Sequence, residues 1–171
     1  TLTVQADDLR QHRVRPCTND DDTSMTLVGC GRRGADQDIV IVNPDTAIRC
    51  AADEVGEIWL RGPSVAKGYW QLEKETTDTF GAHLADSGDG PYLRTGDLGF
   101  VHDNELYITG RLKDVIIIHG ANHYPQDVER TVQECHPLLR TGFGAAFAVE
   151  GNGGERLVVV QEVERHQTYD F

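Results

Sequence analysis

Short aliphatic runs broken by turn residues are the feature that most restricts the fold of this chain. The longest uninterrupted runs reach four residues, as at Val115 to Ile118 and Leu157 to Val160, whereas a membrane-spanning helix needs about 20 apolar residues. Runs of this length, bounded by glycine, proline, asparagine and aspartate, are typical of short strands. We therefore expect a β-rich chain with no membrane span.

Four strands are predicted in the first half. Asp38 to Val42 is rich in β-branched residues, and Gly56 to Arg61 alternates with a period of two, which indicates a half-buried strand. Leu98 to His102 and Leu106 to Thr109 flank a short polar connection, which is typical of a β-hairpin. The first half is therefore expected to be mainly β.

One helix is predicted in this half, from Glu73 to Phe80, and Gly81 suits its carboxyl end. Residues 1–26 are polar and contain an acidic stretch, Asn19 to Asp22, whose like charges disfavour compaction. Little core is expected there.

The pattern changes after Gly110. Asp114 to Ile118 predicts an apolar strand, and Pro125 opens a helix with apolar residues at helical spacing. Two β runs follow, Gly142 to Val149 and Arg156 to Val163, joined by a glycine-rich turn at 151–154. The second half thus predicts a β-α-β-β unit.

Charge and cysteine usage narrow the function classes. A net charge of −12 repels a polyanion at long range, so no nucleic-acid partner is expected and any phosphate contact must be local. The four cysteines form no C-x-x-C pair, and no secretory signal precedes them, which favours reduced thiols and a cytoplasmic location. His119 and His123 are four residues apart, but Gly120 and Asn122 disfavour a helix between them, so no metal site is predicted.

Asp97 is the first candidate for ligand chemistry. In the segment Tyr92 to Phe100 (YLRTGDLGF), a glycine directly precedes this aspartate at a strand start. A carboxylate beside a residue without a side chain can approach a ligand closely and accept two hydrogen bonds from a vicinal diol such as ribose. The alternative is an ordinary turn in which Asp97 bonds its own backbone.

Three ordered blocks together resemble the adenylate-forming superfamily of AMP-binding enzymes. They are Gly56 to Trp70 (GEIWLRGPSVAKGYW), Tyr92 to Asp97 (YLRTGD) and Tyr107 to Glu129 (YITGRLKDVIIIHGANHYPQDVE). Three blocks in order are far more specific than one tripeptide. The remaining sequence, including VGCGRR and HPLLRTGFGAAFAVE, resembles the fatty acyl-AMP ligases that start polyketide and lipopeptide assembly lines.

The resemblance implies an α+β fold and three site residues. Residues 1–110 would form a mainly-β, distorted barrel-like subdomain, 111–114 a hinge, and 115–171 the start of an incomplete β-α-β-β domain. Asp97 would bind the ribose hydroxyls of ATP and of the acyl-adenylate, and Arg111 would contact the same nucleotide. Lys113 would be the catalytic hinge residue about which the small domain swings. The alternative for Arg111 and Lys113 is solvated surface charge.

Glu57 and the stretch Gly62 to Trp70 resemble family scaffold rather than site residues. Trp59, Tyr69 and Trp70 are expected to be packing aromatics, because rings of this size are mostly buried. None of them is expected to contact the substrate.

The resemblance also implies the reactants. These are a fatty acid, ATP with Mg²⁺, and the phosphopantetheine thiol of an acyl carrier protein. Residues 1–28 lie where fatty acyl-AMP ligases carry an insertion that hinders the use of coenzyme A, although a plain surface loop is the alternative. The last catalytic lysine of the family falls outside the chain, so the isolated chain is expected to be inactive.

One departure leaves other functions open. His119 and Ala121 stand where arginines of the ligase branch are expected, which weakens the case for phosphate or carrier contacts there. The alternatives are an acyl-CoA synthetase, an amino-acid adenylation domain, or a non-catalytic module that serves in protein association.

Overall fold

The computed structural model describes residues 1–18, 23–118, 121–151 and 154–164, and divides the chain into two compact units, Thr1–Lys113 and Asp114–Phe171. Strands predominate in both, as the α+β prediction requires. The strands of the described ranges form open sheets, and none of these closes into a barrel. His119 and the stretch Asn19 to Asp22 lie outside the described residues.

A four-stranded antiparallel sheet is the centre of the first unit. Its strands, in spatial order, are β3 (Asp38–Val42), β4 (Gly56–Arg61), β5 (Leu93–His102) and β6 (Glu105–Arg111). The predictions for β3 and β4 are confirmed residue for residue, and the predicted hairpin is present with longer strands. Its turn, Asp103-Asn104, has positive φ at both residues, the conformation that two-residue hairpin loops favour.

A compact core lies against this sheet. Buried Val40, Val42, Trp59, Leu84 and Tyr92 form one cluster. The helix α2 (Glu73–Phe80) has the predicted bounds, with Gly81 at its carboxyl end. The expectation that three aromatics pack holds for Trp59, which is 2% exposed. Tyr69 is 51% exposed and packs with one edge on Phe80, and for Trp70, which is 88% exposed, the expectation is wrong. The backbone has positive φ at Gly68 and at Gln71, on either side of Tyr69 and Trp70.

The amino-terminal segment corrects the expectation that it carries little core. It forms β1 (Leu2–Gln5), α1 (Ala6–Arg10) and β2 (Ser24–Leu27), with β1 and β2 antiparallel. Val4, Leu9 and Val14 are buried. The segment is held by the β1–β2 pairing and by backbone hydrogen bonds to residues 53 and 55, which lie far away in sequence.

The second unit begins with a short hairpin of β7 (Ile116–Ile118) and β8 (Ala121–His123). The strand β8 was not predicted. The helix α3 (Pro125–Glu134) follows, with Pro125 in its first turn as predicted, and then the long antiparallel pair β9 (Leu139–Gly151) and β10 (Gly154–Val163). Helix α3 is fastened to β9 by the Glu129 carboxylate, which accepts the Ala146 N–H at 2.9 Å.

Candidate functional site

Asp97 lies in a bulge that β5 makes opposite β4. Glu57 pairs with Leu98, and the next pair joins Trp59 to Arg94, so β4 supplies one residue where β5 supplies the three residues 95–97. Extra residues on one strand bend it outward and redirect its side chains. Gly96, in the middle of this 95–97 bulge, has φ +74°, a conformation that favours glycine.

The Glu57 carboxylate holds the inner side of the bulge. Its Oε2 accepts hydrogen bonds from Trp59 Nε1 at 2.9 Å and from Arg94 Nη2 at 2.7 Å, and its Oε1 accepts the Gly96 N–H at 3.1 Å. The residue is only 2% exposed. A buried carboxylate requires such partners, because an unpaired charge away from water costs several kcal/mol.

Three further hydrogen bonds hold the bulge. The Thr95 hydroxyl donates to the Ile58 carbonyl at 2.7 Å and accepts the Asp97 N–H at 3.1 Å. The Leu112 N–H donates to the Gly96 carbonyl at 2.8 Å. The peptide on each side of Gly96 therefore has a defined partner, and the position of Asp97 follows from them.

The structure brings Asp97 and Arg111 together. The two residues are partners across β5 and β6, and Arg111 Nε donates to Asp97 Oδ1 at 3.1 Å. The Asp97 side chain is 31% exposed and that of Arg111 is 71% exposed. A pair this accessible contributes about 0–1 kcal/mol to stability, so a ligand can displace or rearrange it at little cost.

Lys113 is exposed and ends the first unit, two residues beyond Arg111. All three predicted site residues thus lie at one end of the β5–β6 hairpin and in the segment that follows it. The geometry suits chemistry at a hydroxylated ligand: a carboxylate accepts hydrogen bonds and an exposed guanidinium donates up to five. Their roles in nucleotide binding stay predictions.

Sequence reasoning missed Glu57 and Arg94 as parts of this arrangement. The period-two pattern predicted a half-buried β4, whereas Gly56 to Trp59 are all buried. The one available signal was an acidic residue beside a tryptophan in a strand, followed later by an arginine just before Thr95-Gly96-Asp97. A buried carboxylate needs a cation, and Arg94 supplies it.

A separate cavity of about 350 Å³ lies on another part of the first unit. It is lined in part by Ile39, Ile41, Cys50, Val101 and Leu106. Burial, with a smaller contribution from Glu54, raises the pKa of the Cys50 thiol to about 11. A thiol with this pKa is a poor nucleophile at neutral pH, and nothing at this cavity indicates catalysis.

No helix within the described ranges has both the length and the apolar character needed to cross a membrane. Among the same residues, histidine, cysteine, aspartate and glutamate side chains form no group of three that could hold a metal ion.

Comparison with known proteins identifies the family. The model of the AMP-binding enzymes matches residues 13–70. The medium-chain-fatty-acid acyl-carrier-protein ligase JamA of Moorena producens is 53% identical over 166 residues, which are 96% of this chain and 28% of that ligase. The chain belongs to the family of AMP-binding enzymes.

Solved structures agree with this AMP-binding family. A structure from studies of the fatty acyl-adenylate ligases of E. coli and L. pneumophila has a TM-score of 0.77 and 30% identity, over 96% of this chain and 28% of that one. The L. pneumophila fatty acyl-adenylate ligase in complex with acyl adenylate and pyrophosphate has a TM-score of 0.61 and 43% identity, over 99% of this chain and 29% of that one. The chain thus spans less than a third of these relatives.

Proposed function

We propose that the protein containing this chain is a fatty acyl-AMP ligase that passes its product to an acyl carrier protein. The observation that carries the proposal is the Asp97–Arg111 pair, held on a bulge at the end of a hairpin in a chain of the AMP-binding family. The carrier as acceptor is supported by the name of the Moorena producens relative, an acyl-carrier-protein ligase.

The reaction has two steps. A carboxylate oxygen of the fatty acid attacks the α-phosphorus of ATP, and pyrophosphate leaves with the electrons of the broken P–O bond. The phosphopantetheine thiol then loses its proton and attacks the acyl carbonyl, and AMP leaves. Mg²⁺ enters with the phosphates, which are its usual ligands in such sites.

In this reaction, residues of this chain would bind the ribose of the nucleotide. The two oxygens of the Asp97 carboxylate can accept the two hydrogen bonds of the vicinal ribose hydroxyls. Arg111, with 71% of its side chain exposed, can turn its remaining donors to the same nucleotide without leaving a buried partner unpaired. These groups support the proposal that this site binds a nucleoside, which Asp97 holds while the fatty-acid carboxylate and the phosphate react elsewhere.

Pyrophosphate exchange on the full-length protein tests this role. Wild-type protein should exchange labelled pyrophosphate into ATP with fatty acids, and Asp97→Asn should lower kcat/KM for ATP by about 10- to 100-fold, since a hydrogen bond to a charged group contributes about 1.5–3 kcal/mol. Asp103→Asn is the matched control, because that carboxylate is 94% exposed at the far end of the same hairpin. Undiminished exchange in Asp97→Asn would exclude Asp97 as the ribose ligand.

The acceptor requires its own assay. With acyl-AMP formed, transfer to a phosphopantetheinylated carrier protein should exceed transfer to coenzyme A. The reverse preference would indicate an acyl-CoA synthetase, and exchange with amino acids only would indicate an adenylation domain. Failure of the wild-type protein to bind ATP or an acyl-AMP analogue would favour a non-catalytic association module.

The hinge at Lys113 is part of the proposal. The division of the chain into compact units directly after this residue supports it. A pivot is needed only if the small domain changes pose between the two steps. Lys113→Pro should therefore slow acyl transfer more than it slows pyrophosphate exchange, and equal losses in both would contradict a hinge role.

A further inference from the structure

We infer that Glu57 is a positioning residue, which sets the conformation of the 95–97 bulge and thereby aims the Asp97 carboxylate at the nucleotide. The activity part of this inference rests on the proposed function. The structural part depends only on contacts within the first unit. Glu57 itself, at 2% exposure, cannot touch a ligand and acts through its neighbours.

The contacts of Glu57 join the core of the unit to the bulge. One carboxylate oxygen is occupied by the core: it accepts the Trp59 indole N–H and two hydrogen bonds from the Arg94 guanidinium, at 3.0 Å from Nε and 2.7 Å from Nη2. The other oxygen accepts the Gly96 N–H at 3.1 Å. A purely structural ion pair would not need this second contact, which reaches the residue next to Asp97.

Hydrogen bonds restrain the conformation at Gly96. A methyl group built on this glycine would meet no heavy atom within 4 Å, so the space beside its Cα is open. Its φ is +74°. What restrains the residue is the acceptor that Glu57 offers to its N–H and the donor that Leu112 offers to its carbonyl at 2.8 Å.

This restraint also governs the distance between Asp97 and Arg111. The Gly96 carbonyl is tied to the residue that follows Arg111, and its N–H is tied to β4 through Glu57. Loss of the Glu57 contact should thus let the bulge shift relative to the end of β6, and Asp97 would leave the position from which it accepts hydrogen bonds from both hydroxyls. Displacements of about 1 Å at such sites cost up to about 100-fold in rate.

Glu57→Gln removes the acceptor for the Gly96 N–H, together with the charge that pairs with Arg94. The amide oxygen of the glutamine must face the three donors of Trp59 and Arg94, because an NH₂ group there would oppose them. The NH₂ group then faces the Gly96 N–H, donor against donor. The substitution keeps the size of the side chain and removes the acceptor from the bulge.

The experiment measures steady-state pyrophosphate exchange and hydrogen exchange on the full-length protein. Glu57→Gln should raise KM for ATP about tenfold, the effect of one hydrogen bond, with a smaller change in KM for the fatty acid. In an Asp97→Asn background the same substitution should add less than about threefold, since residues that act through one another are not additive. Amide exchange in the peptide that contains Gly96 should become faster.

Asp89→Asn is the control for a general loss of stability. Asp89 accepts Arg61 Nη1 at 2.7 Å and the Tyr92 hydroxyl at 2.8 Å, and neither of these partners is a residue of the bulge. Asp89→Asn should lower Tm. It should leave KM for ATP within about twofold of the wild-type value, because the substitution changes no group at the proposed nucleotide site. If Glu57→Gln does not fold, Glu57→Asp carries the same expectation, because it keeps a charge for Arg94 but withdraws the acceptor from Gly96.

The outcomes separate the two proposals. Absence of exchange in the wild-type protein refutes the proposed function, and the protection of Gly96 then still decides whether Glu57 holds the bulge. If the wild-type protein exchanges pyrophosphate, an unchanged KM for ATP in Glu57→Gln, or losses that multiply fully with those of Asp97→Asn, overturns the inference. The same rise of KM in Asp89→Asn also overturns it.

Discussion

Replacement of Arg94 by methionine should destabilise the first unit because it leaves the Glu57 carboxylate buried without its cation. Arg94 donates to Glu57 Oε2 from both Nε and Nη2, and its guanidinium lies 5.6 Å from the centre of the Trp59 ring. Methionine keeps most of the aliphatic volume of the side chain and removes the charge and the donors. The effect is therefore electrostatic rather than one of packing.

The magnitude follows from the two exposures. Breaking a fully buried ion pair costs about 3–5 kcal/mol. Arg94 is 36% exposed, whereas Glu57 is 2% exposed, so water can partly replace the guanidinium but cannot surround the carboxylate. We expect the free energy of unfolding to fall by about 2–3 kcal/mol, which lowers Tm by about 10 °C in a unit of this size.

Urea unfolding followed by tryptophan fluorescence measures the change. Trp59 is buried and Trp70 is exposed, so the spectral shift on unfolding reports mainly on the environment of Trp59. The transition midpoint should fall with little change in its slope, because the surface exposed on unfolding is the same. Arg111→Met is the matched control on the next strand and should cost less than about 1 kcal/mol.

A double-mutant cycle supplies the refuting result. In a Glu57→Gln background, the further change Arg94→Met should cost about 1–2 kcal/mol less than it does alone, because no buried charge is left unpaired. Equal costs in both backgrounds would show that Arg94 and Glu57 are not coupled. The reasoning on the buried pair would then be wrong.

Three further predictions concern titratable groups. Burial, only partly offset by a nearby aspartate, lowers the pKa of His12. The neutral His12 should therefore contribute to stability above about pH 6.5, and this contribution should be lost as the pH falls below that value. In a series of urea-unfolding midpoints measured against pH, His12→Asn should reduce the fall on the acid side. Because the pKa of Cys50 is raised to about 11, mass-spectrometric labelling at pH 8 should modify exposed Cys30 at least about tenfold faster. Burial, and then hydrogen bonds to two carboxylates, raise the pKa of Tyr92. The free energy of unfolding should therefore fall above about pH 10, where the unfolded tyrosine ionises more readily than the folded one. In urea unfolding, Tyr92→Phe should remove this alkaline loss.

The elements that sequence alone predicted are those whose signals are local. Strands β3 and β4 and helix α2 are delimited by turn residues within a few positions of their ends. The structure of the amino-terminal segment was not predicted, because it depends on contacts with residues that are distant in sequence. Its backbone is held by the Val14 N–H, which donates to the Asp53 carbonyl at 2.7 Å, and by the Val55 N–H, which donates to the His12 carbonyl at 2.9 Å. No window of sequence contains both sides of such contacts.

The candidate site also has a part that the sequence predicted and a part that it did not. The predicted hairpin brings the segments of Asp97 and Arg111 together, but a register shift between Leu98 and Gly99, which the sequence did not predict, makes the two residues direct partners. The burial of Glu57 could not be predicted from the sequence. A period-two pattern shows which residues share a face of the strand, but not whether other residues cover that face. Here the covering comes from Arg94 and from the 95–97 bulge, and a bulge has no reliable signature other than a glycine.

The Asp97–Arg111 and Glu57–Arg94 ion pairs, which both involve β5, differ in exposure. The Asp97–Arg111 pair is mostly accessible, at 31% and 71% exposure, so exchanging it for ligand contacts costs little. The Glu57–Arg94 pair has one member at 2% exposure, and opening it would leave a charge in the core. A binding site needs groups that can change partners, and a scaffold needs groups that cannot. The Asp97–Arg111 pair is therefore suited to bind a ligand, and the Glu57–Arg94 pair is suited to hold the bulge that carries Asp97.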